Sequence, residues 1–335
     1  MVRVITIGSA TLDVYLKSGA FKEIKSEKFL TGIGECLALG SKNEVQEVFV
    51  DTGGGATNCA ATFANLGIKV SAMTRIGNDL FGGEVERVLK SRKIGTDLLQ
   101  KDKKLQTSYS TLLLLGTGQR SILVYRGASN ALDFLPKSQK PDWFYITSLG
   151  GNTKLLGKIL SYAKKNKIKA MYNPGGGELR QGLFKLKKYF RGLEVLNLNR
   201  EEASELCNTK YENMNIMIKK LNGLAPYVVI TDGPSGAFCL HNKELWFAPS
   251  LGTKPINTTG AGDAFGSGFC AGLMLSAQGG SASGRKNNLD YALRLGILNS
   301  DGVIKKMGAK NGLLEKLPGK KQLDKVKIKQ ERIKK

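Results

Sequence analysis

The sequence contains few of the residues on which many enzyme sites depend. It has a single histidine, His241, so histidine-based catalytic triads and multi-histidine metal sites are nearly excluded. Its five cysteines are odd in number and lack C-x-x-C spacing, which argues against a disulfide framework and a zinc site and favours a reducing, cytoplasmic location. Acid–base chemistry is therefore left to carboxylates.

Several longer patterns are also missing. No apolar run approaches the roughly 18 residues of a membrane span, and the N-terminal residues lack the pattern of a secretory signal, so we expect no membrane partner. The chain has no G-x-x-x-x-G-K-[ST] phosphate loop and no strand-plus-G-x-G-x-x-G context of a dinucleotide fold. Two well-known glycine-rich phosphate loops are thus excluded.

The composition that remains is that of a soluble globular protein with an excess of positive charge. Hydrophobic residues make up 41% and charged residues 24% of the 335 residues, which is ordinary for such proteins. The net charge of +23 is partly concentrated in residues 316–335, where nine basic residues stand against Asp324 and Glu331. We interpret residues 318–335 as a solvated basic tail, with nucleic-acid binding through it as the alternative.

Short β-rich runs alternate with longer amphipathic stretches, which is typical of parallel βαβ units. We therefore predict an α/β fold over residues 1–317, a three-layer α/β/α, doubly wound domain with a mostly parallel sheet. Two segments, about 14–51 and 107–126, break the alternation, and we expect their strands to pair into a small β-sheet that serves as a lid or as a homodimer interface.

Individual elements of this domain follow from the same periodicity. Core strands are predicted at Val2–Ile7, Val70–Thr74, Trp143–Ile146, Lys169–Tyr172, Val195–Leu198, Tyr227–Thr231 and Ala237–Leu240. Helices are predicted at Thr57–Leu66, Glu84–Lys93, Thr153–Lys165, Glu201–Leu206, Asn213–Leu221, Asp263–Leu275 and Asn288–Asn299.

The segment Asn257–Phe265 carries the most informative motif, the turn Gly260-Ala261-Gly262 followed by Asp263 at the start of an apolar helix. Glycines allow the backbone to approach an anion closely, so the three amides of the turn can point at one developing negative charge. The positive end of the helix dipole adds to this attraction. An aspartate beside such a turn can accept a hydroxyl proton during phosphoryl transfer, although an ordinary loop with an acidic first-turn residue has the same pattern.

A second glycine cluster, Gly53-Gly54-Gly55, precedes a helix with Asn58 in its first turn. Its backbone can approach a ligand closely, and Asn58 offers a donor and an acceptor, which suits a polyhydroxylated ligand; a strand-to-helix turn capped by Asn is the structural alternative. Asp13 follows the first strand, at the edge where ligands collect in open α/β sheets. Its carboxylate can hold two sugar hydroxyls.

Four segments in this order resemble the ribokinase-like carbohydrate kinase family, the phosphofructokinase-B type. They are Gly8-Ser9-x-x-x-Asp13, Gly53-Gly54-x-x-x-Asn58, Asn199-x-x-Glu202 and Thr259-Gly260-Ala261-Gly262-Asp263. The resemblance covers most of residues 1–315. It implies a ribokinase-like fold and an ATP-dependent kinase that phosphorylates a hydroxyl of a sugar.

The resemblance also implies a role for each matching residue. Asp263 is the general base, and the anion hole is formed by the amides of Gly260, Ala261 and Gly262. The substrate-binding positions are Asp13, Gly53, Gly54 and Asn58. The nucleotide-binding positions are Asn199, Glu202, Thr231, Gly233, Gly236 and Asn299. Glu202 also binds Mg²⁺ through water, in keeping with the preference of Mg²⁺ for oxygen ligands, although Asn199 with Glu202 equally fits a structural helix cap.

Two expectations concern charge at this site. Asp263 lies at a helix N-terminus, where the positive potential should keep it ionised and make it a weak base. Asn257 departs from the family pattern, because many members have an aspartate there that helps to hold a monovalent cation. Its neutral side chain makes K⁺ a doubtful cofactor.

The sequence leaves the acceptor open. A free sugar of the ribose, fructose or 2-keto-3-deoxygluconate type is favoured, because Asp13 and Asn58 satisfy hydroxyls without a substrate phosphate. Tyr109 would stack on the base of a nucleoside, and Arg120 and Arg126 would clamp the phosphate of a phosphosugar. A non-catalytic ligand sensor or a nucleic-acid-binding protein on the same fold is the alternative of a different class.

Overall fold

The computed structural model describes residues 2–29, 32–115, 120–136, 139–277 and 288–333. The strands are β1 (Arg3–Ile7), β2 (Thr11–Lys17), β3 (Lys22–Lys25), β4 (Ile33–Cys36), β5 (Glu47–Gly53), β6 (Lys69–Met73), β7 (Arg75–Gly77), β8 (Gln100–Asp102), β9 (Ser108–Leu114), β10 (Arg120–Tyr125), β11 (Trp143–Ile146), β12 (Lys169–Tyr172), β13 (Val195–Asn199), β14 (Tyr227–Thr231), β15 (Gly236–His241), β16 (Glu244–Pro249) and β17 (Lys329–Arg332). The helices are α1 (Gly55–Asn65), α2 (Leu80–Ser91), α3 (Thr153–Lys165), α4 (Gly176–Leu179), α5 (Gly182–Phe190), α6 (Arg200–Cys207), α7 (Met214–Leu221), α8 (Ala261–Ser276), α9 (Asn288–Val303) and α10 (Lys320–Leu323).

Among the described residues, the main sheet has nine strands in the order β17-β16-β15-β14-β13-β12-β11-β1-β6. The six strands from β14 to β6 run parallel, whereas β15, β16 and β17 are added antiparallel. The parallel strands are continuous apolar runs such as Trp143–Ile146, which is buried at all four positions. Such runs are expected where helices cover both faces of a sheet.

Helices do cover both faces, and they form two hydrophobic cores. Helices α1, α8 and α9 pack on one face through side chains such as Phe63 and Phe269, and helices α3, α5, α6 and α7 pack on the other through side chains such as Leu156 and Phe190. Helix α8 is apolar on almost all sides and is buried from Ala264 to Met274. The predicted three-layer α/β/α architecture is therefore confirmed.

A separate four-stranded sheet, in the order β10-β9-β2-β5, forms from the two segments that break the βαβ alternation. Strand β2 pairs parallel with β9 and antiparallel with β5, so that Asp13 lies opposite Asp51 and Ser110 on one face. Leu12 and Tyr109 lie opposite each other on the other face. The predicted small sheet is confirmed, and the turn expected at residues 116–119 lies outside the described residues.

The C-terminal residues complete the main sheet, which differs from the solvated tail that their charge suggests. Leu323 and Val326 are fully buried beside α9, and the carbonyl of Leu323 accepts a hydrogen bond of 2.7 Å from Arg294 Nη1. Strand β17 then pairs with β16, with Lys329 opposite Phe247. The two apolar anchors fix the segment while its lysines remain in solvent, so it is part of the domain.

Within the described residues, none of the helices combines the length and the apolar character needed to cross a membrane.

Candidate active site

The glycine turn before α8 has a backbone conformation that only glycine accommodates there. Gly260 has a φ of +81°, and a Cβ on it would lie 2.6 Å from the Ala309 Cβ. A Cβ on Gly262 would meet no described atom within 4 Å, so that side of the turn is open. The Ala261 amide already donates to the Thr258 carbonyl at 3.2 Å, so it is less available to an anion than the sequence suggests.

Asp263 lies in the first turn of α8 and is held from the side of α1. Its Oδ2 accepts a hydrogen bond of 2.8 Å from Asn58 Nδ2, and its Oδ1 lies 3.8 Å from Cys59 Sγ. Burial raises the pKa of this carboxyl above its usual value, against the opposing effects of the Asn58 hydrogen bond and the Lys310 charge. Burial therefore acts against the effect expected from the helix N-terminus, which favours the ionised carboxylate.

Asn58 does not present a free amide to a ligand. Its Nδ2 is bonded to Asp263, and its Oδ1 accepts a hydrogen bond of 2.8 Å from Lys310 Nζ. Asn58 is 5% exposed. Both polar atoms of the amide are thus bonded to protein groups. In this geometry the side chain positions Asp263 and does not offer a free amide atom to a sugar.

Asp13 lies on β2, where its carboxylate rests against the glycine cluster. A Cβ on Gly53 would lie 1.9 Å from Asp13 Oδ2, and Asp13 Oδ1 accepts a hydrogen bond of 2.8 Å from Thr11 Oγ1. Gly54 has a φ of +91°, and its Cβ would lie 2.5 Å from the Ser9 carbonyl oxygen. Both glycines are therefore required for the close packing of β2 against the start of α1, and burial raises the Asp13 pKa.

Asn199 and Glu202 form a reciprocal cap at the start of α6. Asn199 Oδ1 accepts from the Glu202 amide at 2.7 Å, and Glu202 Oε2 accepts from the Asn199 amide at 2.9 Å. Burial, with a smaller contribution from the charge of Asp263, raises the pKa of Glu202 to about 7. The structural cap is present, and the same carboxylate also feels the charge of Asp263.

A cavity of about 290 Å³ adjoins the glycine turn at Thr258 and Ala261. Its walls include Thr231, Gly233 and Gly236 from the turn after β14, together with Ala261 and the apolar side chains Leu251, Phe265, Ile297 and Ile304. An apolar slot bordered by hydroxyls and glycine backbone suits a planar heterocycle. Three of the predicted nucleotide positions thus line one cavity.

Arg200 joins the two segments on this side of the site, which the sequence did not indicate. Its Nη1 lies 2.8 Å from Asp232 Oδ2, and its guanidinium stacks on Tyr211, whose hydroxyl donates to Asp232 Oδ1 at 3.0 Å. Asp232 is 6% exposed. The start of α6 and the turn after β14 are therefore fixed relative to each other.

Asn299 does not lie where the family pattern implies. It is fully buried, its Nδ2 donates to Thr62 Oγ1 and to the Ala264 carbonyl, and its Oδ1 accepts from the Leu314 amide. These bonds tie α9 to α1 and α8. Its neighbours Ser300 and Asp301 line the cavity instead, because the helical rotation of α9 turns position 299 into the core.

Lys310 belongs to the loop Lys306–Lys310, which the resemblance places beside the adenine pocket and the monovalent-cation site rather than beside Asn58. It is 2% exposed, and its Nζ donates to Asn58 Oδ1 and to the Thr52 carbonyl. It lies in a loop without periodicity, where a lysine is normally solvated. The available signal was its position directly after Ala309, which packs against Gly260.

Comparison with known proteins identifies the class to which this fold and site belong. The model of the pfkB family of carbohydrate kinases matches residues 3–316. The chain belongs to this family, and it is a phosphotransferase that acts on an alcohol group.

Particular relatives agree with this class. A ribokinase of Bacillus subtilis is 26% identical over 270 residues, which cover 78% of this chain and 84% of the relative. The bifunctional protein HldE of Aliarcobacter butzleri is 25% identical over 307 residues, and the match covers 85% of this chain but 60% of that protein.

Solved structures share the fold. A nucleoside kinase of Methanocaldococcus jannaschii superposes with a TM-score of 0.73 at 19% identity, over 97% of this chain and 99% of that one. A ribokinase of Arabidopsis thaliana, complexed with ribose and ATP, superposes with a TM-score of 0.72 at 18% identity, over 97% and 98% of the two chains. The chain is thus similar to both sugar and nucleoside kinases.

Proposed function

We propose that this protein transfers the γ-phosphoryl group of ATP to a hydroxyl of a sugar, with Asp263 as the general base. The observation that carries the proposal is the position of Asp263 between two differently built sides. Asn58 and the buried Asp13 lie on one side, and the Gly260–Gly262 turn leads to the cavity on the other. A base placed between an acceptor site and a nucleotide site is what phosphoryl transfer requires.

In the proposed reaction the acceptor oxygen forms a bond to the γ-phosphorus as the bond to the β,γ-bridging oxygen breaks, and ADP leaves. The acceptor proton passes to Asp263 Oδ1, because Oδ2 is occupied by Asn58. The raised pKa of Asp263 makes it a better base than an exposed aspartate. The open face of Gly262 and the helix dipole stabilise the negative charge of the transferred group.

The nucleotide side fits ATP with Mg²⁺. The apolar cavity accepts the base, and the glycine backbone of Gly233 and Gly236 allows phosphates to approach closely. Glu202 would hold Mg²⁺ through water, and the metal would neutralise phosphate charge when bound. Asn199 holds Glu202 in position through the reciprocal cap.

A free sugar fits the acceptor side better than a nucleoside or a phosphosugar. Tyr109 lies on the face of the small sheet opposite to Asp13 and stacks on Phe81 with ring centroids 5.4 Å apart. Its ring is therefore not placed to stack on the base of a nucleoside at the Asp13 face. Arg126 borders a cavity of about 60 Å³, which is small for a phosphorylated sugar. The side chain of Arg120 lies outside the described residues.

A coupled assay of ADP release tests activity and acceptor together. The screen covers ribose, fructose, 2-keto-3-deoxygluconate, sugar phosphates and nucleosides, and we expect turnover with a free sugar. Asp263→Asn should bind ATP normally but lose roughly 10²–10⁴-fold in kcat, whereas the control Asp133→Asn, whose side chain is 69% exposed, should not change it. An Asp263→Asn variant that keeps more than about a tenth of the rate would remove Asp263 from the base role.

We also propose that turnover is independent of K⁺. Asn257 Oδ1 already accepts from the Thr259 amide at 3.0 Å, and its other polar atom is an amide donor. The neutral side chain therefore lacks the charge with which an aspartate would hold a cation, and its oxygen is already hydrogen-bonded. Equal rates in potassium and choline chloride are expected, and a rate that rises severalfold with K⁺ would contradict this assignment.

The small sheet offers a surface for a homodimer. On the face opposite to Asp13, the register aligns Val14, Val50, Leu16, Val48 and Leu123, of which Val50, Val48 and Leu123 are 51%, 62% and 61% exposed. An apolar face of this kind on a chain of this size favours association. Light scattering should give twice the chain mass, and Val50→Lys should give the monomer mass; a monomeric wild type would refute the proposal.

A further inference from the structure

Lys310 is a buried cation inside the acceptor side of the site. Its Nζ donates to Asn58 Oδ1 at 2.8 Å and to the Thr52 carbonyl, and the residue is 2% exposed. Burying an ammonium group is costly unless charges and acceptors surround it. An ordinary packing role would be met by an apolar side chain, so the charge at this position needs an explanation.

The charged groups that face Lys310 come from four elements. Asp13 on β2, Asp51 on β5 and Asp263 on α8 stabilise its protonated form, and Arg92, which follows α2, opposes it. Burial has the largest effect and lowers the Lys310 pKa to about 8. The ammonium is therefore mostly protonated at neutral pH and loses its proton as the pH rises through about 8.

The contact between Lys310 and Asn58 fixes which way the Asn58 amide points. The two ends of an asparagine amide are nearly equal in size, so its orientation is set by hydrogen bonds. A lysine ammonium has only donors and must face the Asn58 oxygen. Asn58 Nδ2 then necessarily faces Asp263 Oδ2, at 2.8 Å. Asp263 Oδ1, which accepts a weak hydrogen bond of 3.8 Å from Cys59 Sγ, is the oxygen that we assign to the acceptor.

We propose that Lys310 is a positioning residue for phosphoryl transfer, acting through Asn58 to hold the Asp263 carboxylate with Oδ1 toward the acceptor hydroxyl. This inference rests on the proposed kinase function. Without the ammonium, the Asn58 amide can turn its oxygen toward Asp263, which removes a hydrogen bond and adds repulsion between two acceptors. The base is then less well oriented for the same bound acceptor.

A double-mutant cycle in the full-length protein tests this route. Lys310→Met and Asn58→Ala are each expected to lower kcat roughly tenfold to hundredfold, the size of one lost hydrogen bond to a charged group. If Lys310 acts through Asn58, adding Lys310→Met to Asn58→Ala lowers kcat by less than about threefold. The control is Lys316→Met, the same substitution at an exposed lysine six residues later, which should leave kcat unchanged.

The pH dependence of kcat tests the same role if Lys310→Met folds poorly. The wild-type kcat should fall above about pH 8, as Lys310 loses its proton. Lys310→Arg keeps a cation with a much higher pKa, so its alkaline fall should move up by more than about one pH unit. ATP affinity, measured by calorimetry, should stay within about threefold of the wild-type value in every variant.

The possible outcomes separate the two proposals. Additive losses in the cycle, or an alkaline fall unchanged in Lys310→Arg, would overturn the role of Lys310 while leaving the kinase function intact. A wild-type protein that binds ATP but phosphorylates none of the acceptors in the screen would instead overturn the kinase function itself.

Discussion

Replacing Gly53 with alanine should weaken use of the acceptor while leaving nucleotide binding intact. The added Cβ would lie 1.9 Å from Asp13 Oδ2 and 2.7 Å from Thr11 Oγ1. The φ of Gly53 is outside the left-handed region, so alanine can adopt the backbone conformation and the whole effect comes from space. The carboxylate that we assign to the acceptor must therefore move.

The size of the effect follows from this displacement. Ordinary contact needs at least 3.4 Å, so Asp13 Oδ2 must recede by about 1.5 Å. A misplacement of about 1 Å can cost roughly 10²-fold in rate, and loss of a hydrogen bond to a charged group costs about 1.5–3 kcal/mol. We expect kcat/KM for the acceptor to fall roughly tenfold to hundredfold and the free energy of unfolding to fall by about 1–3 kcal/mol.

Steady-state kinetics with the acceptor found by the screen measures this effect, with ATP varied separately. The matched control is Gly83→Ala on α2, where a Cβ meets no described atom within 4 Å. That change should leave kinetics unaltered and stabilise the helix by about 0.5–1 kcal/mol. Wild-type kcat/KM for the acceptor in Gly53→Ala would refute the assignment of Asp13, whereas loss of ATP binding would indicate wider disruption of the fold.

Three further predictions concern stability. Asn299→Ala should lower the free energy of unfolding by about 2–4 kcal/mol, because it leaves several buried groups unpaired. The Kd for ATP, measured by calorimetry, should change less than about threefold, and a large change in Kd would return Asn299 to the nucleotide site. Leu323→Ala should lower the free energy of unfolding, measured in urea, by about 2–5 kcal/mol, whereas Lys320→Ala at an exposed position should lower it by less than about 0.5 kcal/mol. Equally small effects of the two substitutions would mean that the C-terminal segment is not anchored. Lys310 has a folded-state pKa of about 8, below its ordinary value of 10.5, so the unfolded chain binds more protons between these values and the stability of the wild type should rise with pH there. In Lys310→Met this rise should be smaller by up to about 3 kcal/mol, and an identical rise would show that Lys310 is not desolvated.

Much of the fold could be predicted because its elements have strong local patterns. The apolar runs at Trp143–Ile146 and Tyr227–Thr231 and the amphipathic stretch Thr153–Lys165 have the predicted boundaries. Strand β17 could not be predicted in this way. The sequence Lys329–Arg332 has no apolar alternation, and it forms a strand because its backbone pairs with the edge of β16.

The site likewise has features that local sequence predicts and features that depend on contacts between distant residues. The turn at Gly260 could be predicted because the residues that need each other are adjacent in sequence. Lys310 and Asn58 are 252 positions apart, and they meet only in the assembled fold, where Ala309 packs against Gly260. The pKa of Asp263 could not be predicted either, since the depth of burial is a property of the assembled layers rather than of the helix start.

Strand β17 also protects the molecule at its border. The edge strand of a sheet has unpaired backbone groups and can add a strand from another chain, which leads to aggregation. Here all four residues of the outermost strand, Lys-Gln-Glu-Arg, are exposed and polar, and three of them carry charge. A neighbouring molecule would have to bury these charges to pair with the sheet, so strand β17 also hinders fibrous association. Removing β17 would expose the edge of the apolar strand Glu244–Pro249.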